Sequence, residues 1–308
     1  MILVVGLSPA WQRTLVFEEI ITGKVNRAAR VSETASGKGV NVARVASILG
    51  ADVKLLTVAG GARGRLLQTE LKRQRLNARM VSVKAETRIC QTLISSKPTT
   101  ELVEEAGGLR PSEVREVLHA FSAELRRAQM VVLTGTVPAG CGDDFYARLV
   151  SESQRRGVPV LIDAQKVQLL NALKRRPFLV KINRDELLAA TRVKGGGQTN
   201  ALRKLMRNGP QWAVITDGAR SVCTSERPGE RTLFTKPPHV NVVNPIGSGD
   251  AMTAGIAVGL LRGETMLEAV RLGVACGAAN AMTAEPGFVR VQDVKRLCST
   301  LHRRVPIV

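Results

Sequence analysis

Aromatic side chains are scarce in this chain of 308 residues, at 3% of the total. Proteins that bind single-stranded nucleic acid stack its bases on aromatic side chains, so the composition argues against that class. The three histidines are scattered and give a histidine metal cluster no support. Five cysteines occur singly and without a C-x-x-C pair, so neither a disulfide framework nor a zinc site is expected. A reducing cytoplasm is the expected compartment.

Long apolar runs are absent as well. No run reaches the roughly 18 residues that a membrane span needs. The apolar start, Met1–Val5, has no basic segment before it, so it predicts a strand and not a signal peptide.

Acidic residues are fewer than basic ones. The chain has 26 aspartates and glutamates against 45 lysines and arginines, which gives a net charge of +19. Anionic partners are therefore expected, from small phosphorylated metabolites to nucleic acid. Basic pairs at predicted helix ends are, however, also typical of solvated helix termini.

Hydrophobic residues make up 44% of the chain, enough for a sizeable core. Short apolar strands alternate with longer amphipathic stretches, which predicts an α/β fold with a mostly parallel sheet and helices on both faces. The predicted strands are Ile2–Leu7, Val53–Ala59, Met130–Thr134, Pro159–Asp163, Phe178–Ile182 and Trp212–Thr216. The predicted helices are Gly39–Leu49, Gly64–Gln74, Pro111–Ala128, Phe145–Gln154, Lys166–Leu173, Arg184–Thr191, Thr199–Asn208, Ala251–Leu261 and Met266–Thr283. Ligands of such sheets bind beyond the carboxyl ends of the strands.

Two stretches interrupt this alternation. Residues Arg13 to Ala35 and Thr87 to Ala106 look extended and alternate in polarity. We expect them to pair into a small separate sheet that serves as a lid or a dimer clasp. The chain is predicted to be one domain, 1–308, with the lid built from insertions at about 11–35 and 87–106. Lys194–Gly197 is glycine-rich and predicts a loop within that domain.

The segment Asn244-Pro245-Ile246-Gly247-Ser248-Gly249-Asp250 is the most informative motif. It follows the β-branched run Val240–Val243 and precedes a small, apolar stretch, which predicts strand, glycine turn and buried helix. Glycines allow backbone amides to approach an anion, and a helix N-terminus adds partial positive charge. Asp250 next to such a phosphate site fits a proton-accepting role. Asp250 is equally compatible with a helix N-cap.

A second glycine turn, Ser36-Gly37-Lys38-Gly39-Val40-Asn41, opens another predicted helix. The spacing is not that of a Walker A motif. Lys38 lies between two glycines and is a candidate for contact with a phosphate, while Asn41 is a candidate for contact with a hydroxyl. Asn41 alternatively only satisfies backbone groups of the first helical turn.

Asn183 and Glu186 are three residues apart at a predicted helix start, so both can face one way. Their oxygens suit magnesium bound through its waters. The same pair also fits a capping box, with Asn at the N-cap and Glu at the third helical position.

Taken together, these motifs resemble the PfkB (ribokinase-like) sugar kinases, specifically the 1-phosphofructokinase and tagatose-6-phosphate kinase branch. Gly247–Asp250 is similar to the family's G-x-G-D signature, and Gly37–Ala43 to its G-K-G-x-N-x-A signature. Asn183–Glu186 is similar to its N-x-x-E motif, and the resemblance runs from Leu7 to Gly287. It implies a three-layer αβα sandwich with a β-sheet lid, often a dimer clasp, and the use of ATP and Mg²⁺.

The resemblance also implies roles for individual residues. Asp250 would take the proton from a sugar hydroxyl, and the amides of Gly247, Ser248 and Gly249 would stabilise charge on the transferring phosphoryl group. The other implied sites are Asn183 and Glu186 for magnesium, Thr216, Gly218, Gly247, Gly249 and Asn280 for ATP, and Gln12, Arg27, Gly37, Lys38, Asn41 and Arg88 for the substrate. Lys38, Arg88 and Arg27 would hold the substrate's own phosphate, which three converging cations suit.

One position departs from the family pattern. The family's first strand usually ends in N-P-A-x-D, whose Asp binds sugar hydroxyls, whereas this chain has Ser8-Pro9-Ala10-Trp11-Gln12. Gln12 forms hydrogen bonds but has no charge, so the resemblance leaves the sugar open. We predict an ATP-dependent kinase of a phosphorylated ketohexose, without membrane or nucleic-acid partners and with a homodimer through the lid as an option. The alternatives are a kinase of an unphosphorylated sugar or nucleoside, and a nucleic-acid binder that has lost catalysis.

Overall fold

Strand β1 (Ile2–Val5) shows how the core is divided. All four side chains are fully buried, with Ile2 and Val4 in one hydrophobic cluster and Leu3 and Val5 in another. A strand that is buried on both faces belongs in the middle of a sheet covered by helices on each side. The computed structural model describes residues 1–193, 197–207, 209–227 and 232–302.

A nine-stranded sheet has the order β13-β12-β11-β10-β9-β8-β1-β4-β5 in the described part of the chain. The strands after β1 are β2 (Ala10–Val16), β3 (Arg30–Ser36), β4 (Val53–Ala59), β5 (Ala78–Ser82), β6 (Arg88–Ile94), β7 (Thr100–Val103), β8 (Met130–Thr134), β9 (Val160–Asp163), β10 (Leu179–Asn183), β11 (Trp212–Asp217), β12 (Ser221–Glu226) and β13 (Thr232–Thr235). All pairs from β11 to β5 are parallel, whereas β12 and β13 add an antiparallel edge. The carboxyl ends of the parallel strands therefore share one edge of the sheet.

Helices cover both faces of this sheet. They are α1 (Lys38–Ile48), α2 (Gly61–Arg73), α3 (Pro111–Leu125), α4 (Phe145–Arg155), α5 (Lys166–Leu173), α6 (Arg184–Thr191), α7 (Gly197–Arg207), α8 (Ser248–Leu261), α9 (Met266–Ala281) and α10 (Val291–His302). The core of one face takes side chains from α1, α2 and α8 to α10, and that of the other face from α3 to α7. The predicted three-layer α/β sandwich is confirmed.

The two predicted extended segments form a separate four-stranded sheet of order β3-β2-β6-β7, here called the lid sheet. Pairing of β2 with β3 and with β6 keeps Gln12 in register with Thr34 and Cys90. Because side chains alternate along a strand, Gln12 and Cys90 share one face of the lid sheet, and Trp11 lies on the other.

Several sequence-based expectations need correction. Val240–Val243 is not a strand: it follows Pro237 and Pro238, which lack amide donors for a ladder, and Val242 is 61% exposed. Strands β5, β12 and β13 and helix α10 were not predicted from the sequence. Most of the predicted loop at Lys194–Gly197 lies outside the described residues. So does Asn208, the last residue of the predicted helix Thr199–Asn208. Across the described ranges, no helix has the length and hydropathy needed to cross a bilayer.

Candidate active site

A polar cavity of about 490 Å³ opens at the carboxyl ends of β9, β10 and β11. The lid sheet forms its opposite wall. The body contributes Gly37, Lys38, Asn41, Asp163, Gln165, Lys181, Asn183, Glu186, Thr216, Pro245, Ile246, Gly247, Gly249 and Asp250, and the lid sheet contributes Gln12, Ser36, Arg88, Cys90, Glu101 and Val103. The structure thus brings both glycine turns, the Asn/Glu pair and Asp250 around one space, where the fold predicts a ligand.

The glycine turn at 247–249 starts helix α8 without a side-chain cap. Gly247 has φ +83°, and a Cβ there would lie 2.5 Å from the Gly287 nitrogen, so only glycine fits. The Ser248 amide is used within the turn, where it donates to the Pro245 carbonyl at 3.2 Å. The first amides of a helix have no intrahelical acceptor, and none of them is capped here by a side chain. The helix start therefore offers donors and partial positive charge to an anion in the cavity.

Asp250 lies in the first turn of α8 and is 7% exposed. The N-cap residue is Gly247, so the alternative that Asp250 caps the helix is wrong. Its Oδ2 accepts a hydrogen bond from Asn41 Nδ2 at 2.8 Å. Burial raises the pKa of Asp250 to about 6, although the nearby Lys38 ammonium opposes this. A carboxylate with such a pKa accepts a proton near neutral pH more readily than an ordinary Asp.

Asn41 links the second glycine turn to Asp250. It lies in the first turn of α1, and its amide contacts Asp250, Ser36 Oγ and Arg44. The alternative that Asn41 only satisfies backbone groups is therefore wrong.

Asp163, at the end of β9, holds two lysines in the floor of the cavity. Lys38 Nζ lies 3.1 Å from its Oδ1 and Lys181 Nζ 2.9 Å from its Oδ2, where Thr253 Oγ1 also donates at 2.9 Å. Burial alone would raise the pKa of Asp163, but Lys181 and Lys38 together hold it well below the ordinary value. The carboxylate stays ionised and fixes both ammonium groups.

This pairing changes the interpretation of Lys38. The sequence suggested a cation free to bind phosphate, but the Lys38 ammonium forms an ion pair with Asp163. Burial opposes the charged form of Lys38, yet Asp163 and Asp250 raise its pKa above the ordinary value. The Lys38 side chain is still 34% exposed, so it can also face a ligand in the cavity.

The lid end of the cavity contains one cation, Arg88, and one acid, Glu101. Neither forms an ion pair within hydrogen-bond distance among the described residues. Arg88 donates to the carbonyls of Glu104 and Ser8, each at 3.0 Å. Glu101 makes no hydrogen bond within the described part of the chain. Although Glu101 is exposed by its accessible surface, desolvation by the surrounding protein raises its pKa, and Arg88 opposes that shift. Gln12 is buried and donates from Nε2 to Thr92 Oγ1 at 2.9 Å.

Arg27 is not part of this cavity. It lies in the exposed connection between β2 and β3, so the structure does not bring the three predicted phosphate-binding cations together within one chain. Of these three, Lys38 and Arg88 line the cavity.

A second cavity of about 270 Å³ adjoins the first at Thr216, Pro245 and Gly249. Most of its lining is apolar: Val222, Pro237, Pro238, Val240, Val242, Met252, Val274, Ala278 and Ala281, joined by Gly218 and Ser248. A flat, largely apolar group fits such a lining.

Asn280, predicted to lie near an adenine, is fully buried and supports the glycine turn. Its Nδ2 donates to the Ile246 carbonyl at 2.9 Å, and its Oδ1 accepts from the Gly287 amide at 2.7 Å. It therefore holds the turn from behind and does not line the apolar cavity.

Asn183 and Glu186 form the capping box at the start of α6. Asn183 Oδ1 accepts from the Glu186 amide and Glu186 Oε2 accepts from the Asn183 amide, each at 2.8 Å. Both residues also line the polar cavity. No cluster of three or more His, Cys, Asp or Glu side chains that could hold a metal occurs in the ranges described. A donor set this small fits Mg²⁺ held through water and phosphate oxygens, and not a cage of protein ligands.

Sequence reasoning missed Asp163, Lys181 and Glu101. Asp163 carried one usable signal, because it is an acidic residue at the carboxyl end of a buried strand. Lys181 ends up beside it since β10 pairs with β9 in parallel register.

A polar cavity with a buried carboxylate, a helix start and an adjoining apolar cavity has the components of a nucleotide-dependent phosphotransferase. Residues 1–288 match the model of the pfkB family of carbohydrate kinases, and the chain belongs to that family. It is therefore a kinase, a phosphotransferase with an alcohol group as acceptor.

Individual relatives agree with this assignment. The chain is 28% identical over 295 residues to the tagatose-6-phosphate kinase of Staphylococcus epidermidis, with 94% of each sequence covered. The crystal structure of a putative phosphofructokinase from Staphylococcus aureus matches with 25% identity, a TM-score of 0.79 and 97% of each chain covered. Phosphofructokinase-2 from Escherichia coli, solved with substrates and products, shares the fold at 23% identity and a TM-score of 0.89, over 98% of this chain and 99% of that one.

Proposed function

We propose that this enzyme transfers the terminal phosphoryl group of ATP to a hydroxyl of a phosphorylated ketohexose: fructose 1-phosphate, tagatose 6-phosphate or fructose 6-phosphate. The observation that carries the proposal is Asp250, a buried carboxylate with a pKa raised to about 6 by burial, beside an uncapped helix start in the polar cavity. The names of the relatives support a sugar phosphate as acceptor.

In this proposal, Asp250 accepts the proton of the attacking hydroxyl, and Asn41 keeps the carboxylate oriented by the hydrogen bond to Oδ2. The start of α8 and the ammonium groups of Lys38 and Lys181 stabilise the negative charge on the transferring group. Asp163 fixes both ammonium groups, so little rearrangement is needed when charge develops.

The apolar cavity accepts the nucleotide base, with Thr216 and Gly218 at its edge and Gly249 where the two cavities meet. Bound Mg²⁺ would neutralise charge on the phosphates. Asn183 and Glu186 would hold it through water, because both line the cavity and the capping box uses only Oε2 of the Glu186 carboxylate.

The lid end selects the acceptor. Arg88 binds the phosphate that the sugar already carries, and the exposed part of Lys38 supports it. Gln12, Gly37 and Glu101 face the sugar hydroxyls, where Glu101 supplies the carboxylate that the neutral Gln12 lacks. A ligand with both a phosphate and hydroxyls satisfies this mixture of a cation, a carboxylate and an amide.

A coupled ADP-release assay tests the proposal, with the three ketohexose phosphates compared against fructose, ribose and a nucleoside at equal concentration. We expect turnover with at least one sugar phosphate and a kcat/KM at least a hundredfold lower for the matching free sugar. Preference for an unphosphorylated acceptor would contradict a sugar phosphate as the substrate and favour a kinase of a free sugar or nucleoside. Salt-dependent retention on DNA with no turnover of any acceptor would favour the nucleic-acid-binding alternative.

We further propose that two copies pair through the lid sheet, because Val31 and Leu102 are about half exposed on its outer face. Light scattering of the wild type and of Leu102→Glu tests this: a dimer is expected for the wild type only. We place the enzyme in the cytoplasm, where its five cysteine thiols remain reduced.

A further inference from the structure

Arg44 is a buried cation next to the active site that the proposed mechanism does not use. It lies in α1 and is 6% exposed. Burial lowers the pKa of Arg44 to about 10, so the guanidinium is still charged at neutral pH. A buried charge is costly unless it is fully hydrogen-bonded, so its partners indicate what it holds in place.

The guanidinium joins four parts of the molecule. Nη1 donates to Asn41 Oδ1 and to the Pro286 carbonyl, each at 3.3 Å. Nη2 donates to the Ala35 carbonyl at the end of lid strand β3. Nε donates to Gln74 Oε1 at 2.8 Å, at the end of α2. The fork geometry of an Arg side chain allows these bonds at once, which the single ammonium of a Lys cannot reproduce.

The contact with Asn41 decides which way its amide points. An Asn side chain has one acceptor end and one donor end. Asn41 Oδ1 accepts from Arg44 and from Ser36 Oγ, so Nδ2 is left to donate to Asp250 Oδ2 at 2.8 Å. Turning the amide over would place its NH₂ group against the guanidinium and its oxygen against the Asp250 carboxylate, both of which are repulsive.

The loop at 284–288 closes the other side of Asn41. Gly287 has φ +68°, and a Cβ there would lie 2.4 Å from Asn41 Cβ, so its backbone packs directly on that side chain. Arg44 holds this loop through the Pro286 carbonyl, and the Asn280 side chain holds it through the Gly287 amide at 2.7 Å.

We propose that Arg44 is a positioning residue for the phosphoryl-transfer base. It fixes the Asn41 amide so that Nδ2 faces Asp250, and it ties that amide to the lid strand and to the 284–288 loop. The proposal rests on the proposed function, in which Asp250 takes the proton.

The charged groups that face Asp250 are Lys38 on α1, Asp163 at the end of β9 and Lys181 on β10. Arg44 is not one of them, so its loss acts through Asn41. The Asn41 hydrogen bond favours the ionised carboxylate and lowers the pKa of Asp250. Without that bond the pKa rises, and the acid limb of the pH–rate profile moves to higher pH. A hydrogen bond to a charged group corresponds to a displacement of about 1 to 2 pH units.

The experiment is a double-mutant cycle of Arg44→Lys and Asn41→Ala, with kcat/KM for the best sugar phosphate measured from pH 5 to 9. The pKa of Asp250 is also read directly from the ¹³C carboxyl signal that disappears in Asp250→Asn, which needs no turnover. The substrate phosphate titrates near pH 6 as well, at about the same value for each variant, so differences between variants remain interpretable. Arg73→Lys is the matched control, because Arg73 is an exposed member of the same hydrogen-bond network.

We expect Arg44→Lys to move the acid limb and the carboxyl titration upward together, by about one pH unit, while Arg73→Lys leaves both in place. In the Asn41→Ala background, Arg44→Lys should cause no further displacement. An unchanged titration in Arg44→Lys, or an equal displacement in both backgrounds, overturns the proposal. If Arg44→Lys does not fold, Arg44→Met takes its place. If neither variant folds, the role of Arg44 is purely structural, and the proposal is overturned. A wild type without kinase activity would reject the proposed function, while the carboxyl titration would still test the link from Arg44 to Asp250.

Discussion

Asp250→Asn should stabilise the folded protein while it abolishes most of the activity. The carboxyl is buried, and its pKa is raised from 3.8 to about 6, mainly by desolvation. In a folded chain above pH 6 this group is charged in a site that favours its neutral form. The contribution of Asp250 to stability is therefore fully present below about pH 3.8 and is lost as pH rises through about 6.

The magnitude follows from the size of the shift. At about 1.36 kcal/mol per pH unit, the difference between 3.8 and about 6 corresponds to about 3 kcal/mol. Asn resembles the neutral carboxyl, so Asp250→Asn should raise the free energy of unfolding by up to about 3 kcal/mol at pH 8, and by about half of that at pH 5. Urea denaturation of both proteins at the two pH values measures this. A destabilised variant, or a gain that does not depend on pH, would refute the assignment of a desolvated carboxylate.

Three further substitutions test other parts of the site. Asp163→Asn leaves the Lys181 ammonium buried without a carboxylate and should lower the free energy of unfolding by about 3 to 5 kcal/mol. The control Asp293→Asn removes a surface ion pair and should change the free energy of unfolding little. Similar losses in the two variants would contradict the buried pairing. Arg88→Ala should raise KM for the sugar phosphate at least tenfold in steady-state assays and leave KM for ATP nearly unchanged, and equal effects on both would place Arg88 elsewhere. Glu101→Gln should raise KM for the sugar phosphate about tenfold, while Glu105→Gln, a control outside the cavity lining, does not. A lower KM in Glu101→Gln would mean that Glu101 repels the phosphate.

The alternating pattern of strands and helices was enough to predict the layers of the fold. Helices Lys166–Leu173 and Arg184–Thr191 have the predicted bounds. The start of the second is set by a local signal, the capping box of Asn183 and Glu186. The edge strands β12 and β13 were missed since they are antiparallel additions to a parallel sheet and do not alternate with helices. Val240–Val243 looked like a strand because β-branched residues favour one, but its side chains form a cavity wall and exposed surface instead.

The candidate site was predictable where a motif is contiguous in sequence. Gly247–Asp250 and Asn41 come together as the two glycine turns suggested. The contact of Lys38 with Asp163 joins residues 125 positions apart and depends on strand order, which no local pattern specifies. Asn280 could not be assigned from sequence either, because its role depends on the tertiary contact between α9 and the glycine turn.

The central claim is that Asp250 removes the proton of the acceptor hydroxyl, and single-turnover kinetics of Asp250→Asn tests it most directly. With saturating ATP and sugar phosphate at pH 8, the rate of bisphosphate formation should fall by at least about a hundredfold, while the affinities for both ligands, measured by calorimetry, change little. A variant that forms product at a near-normal rate would contradict the account.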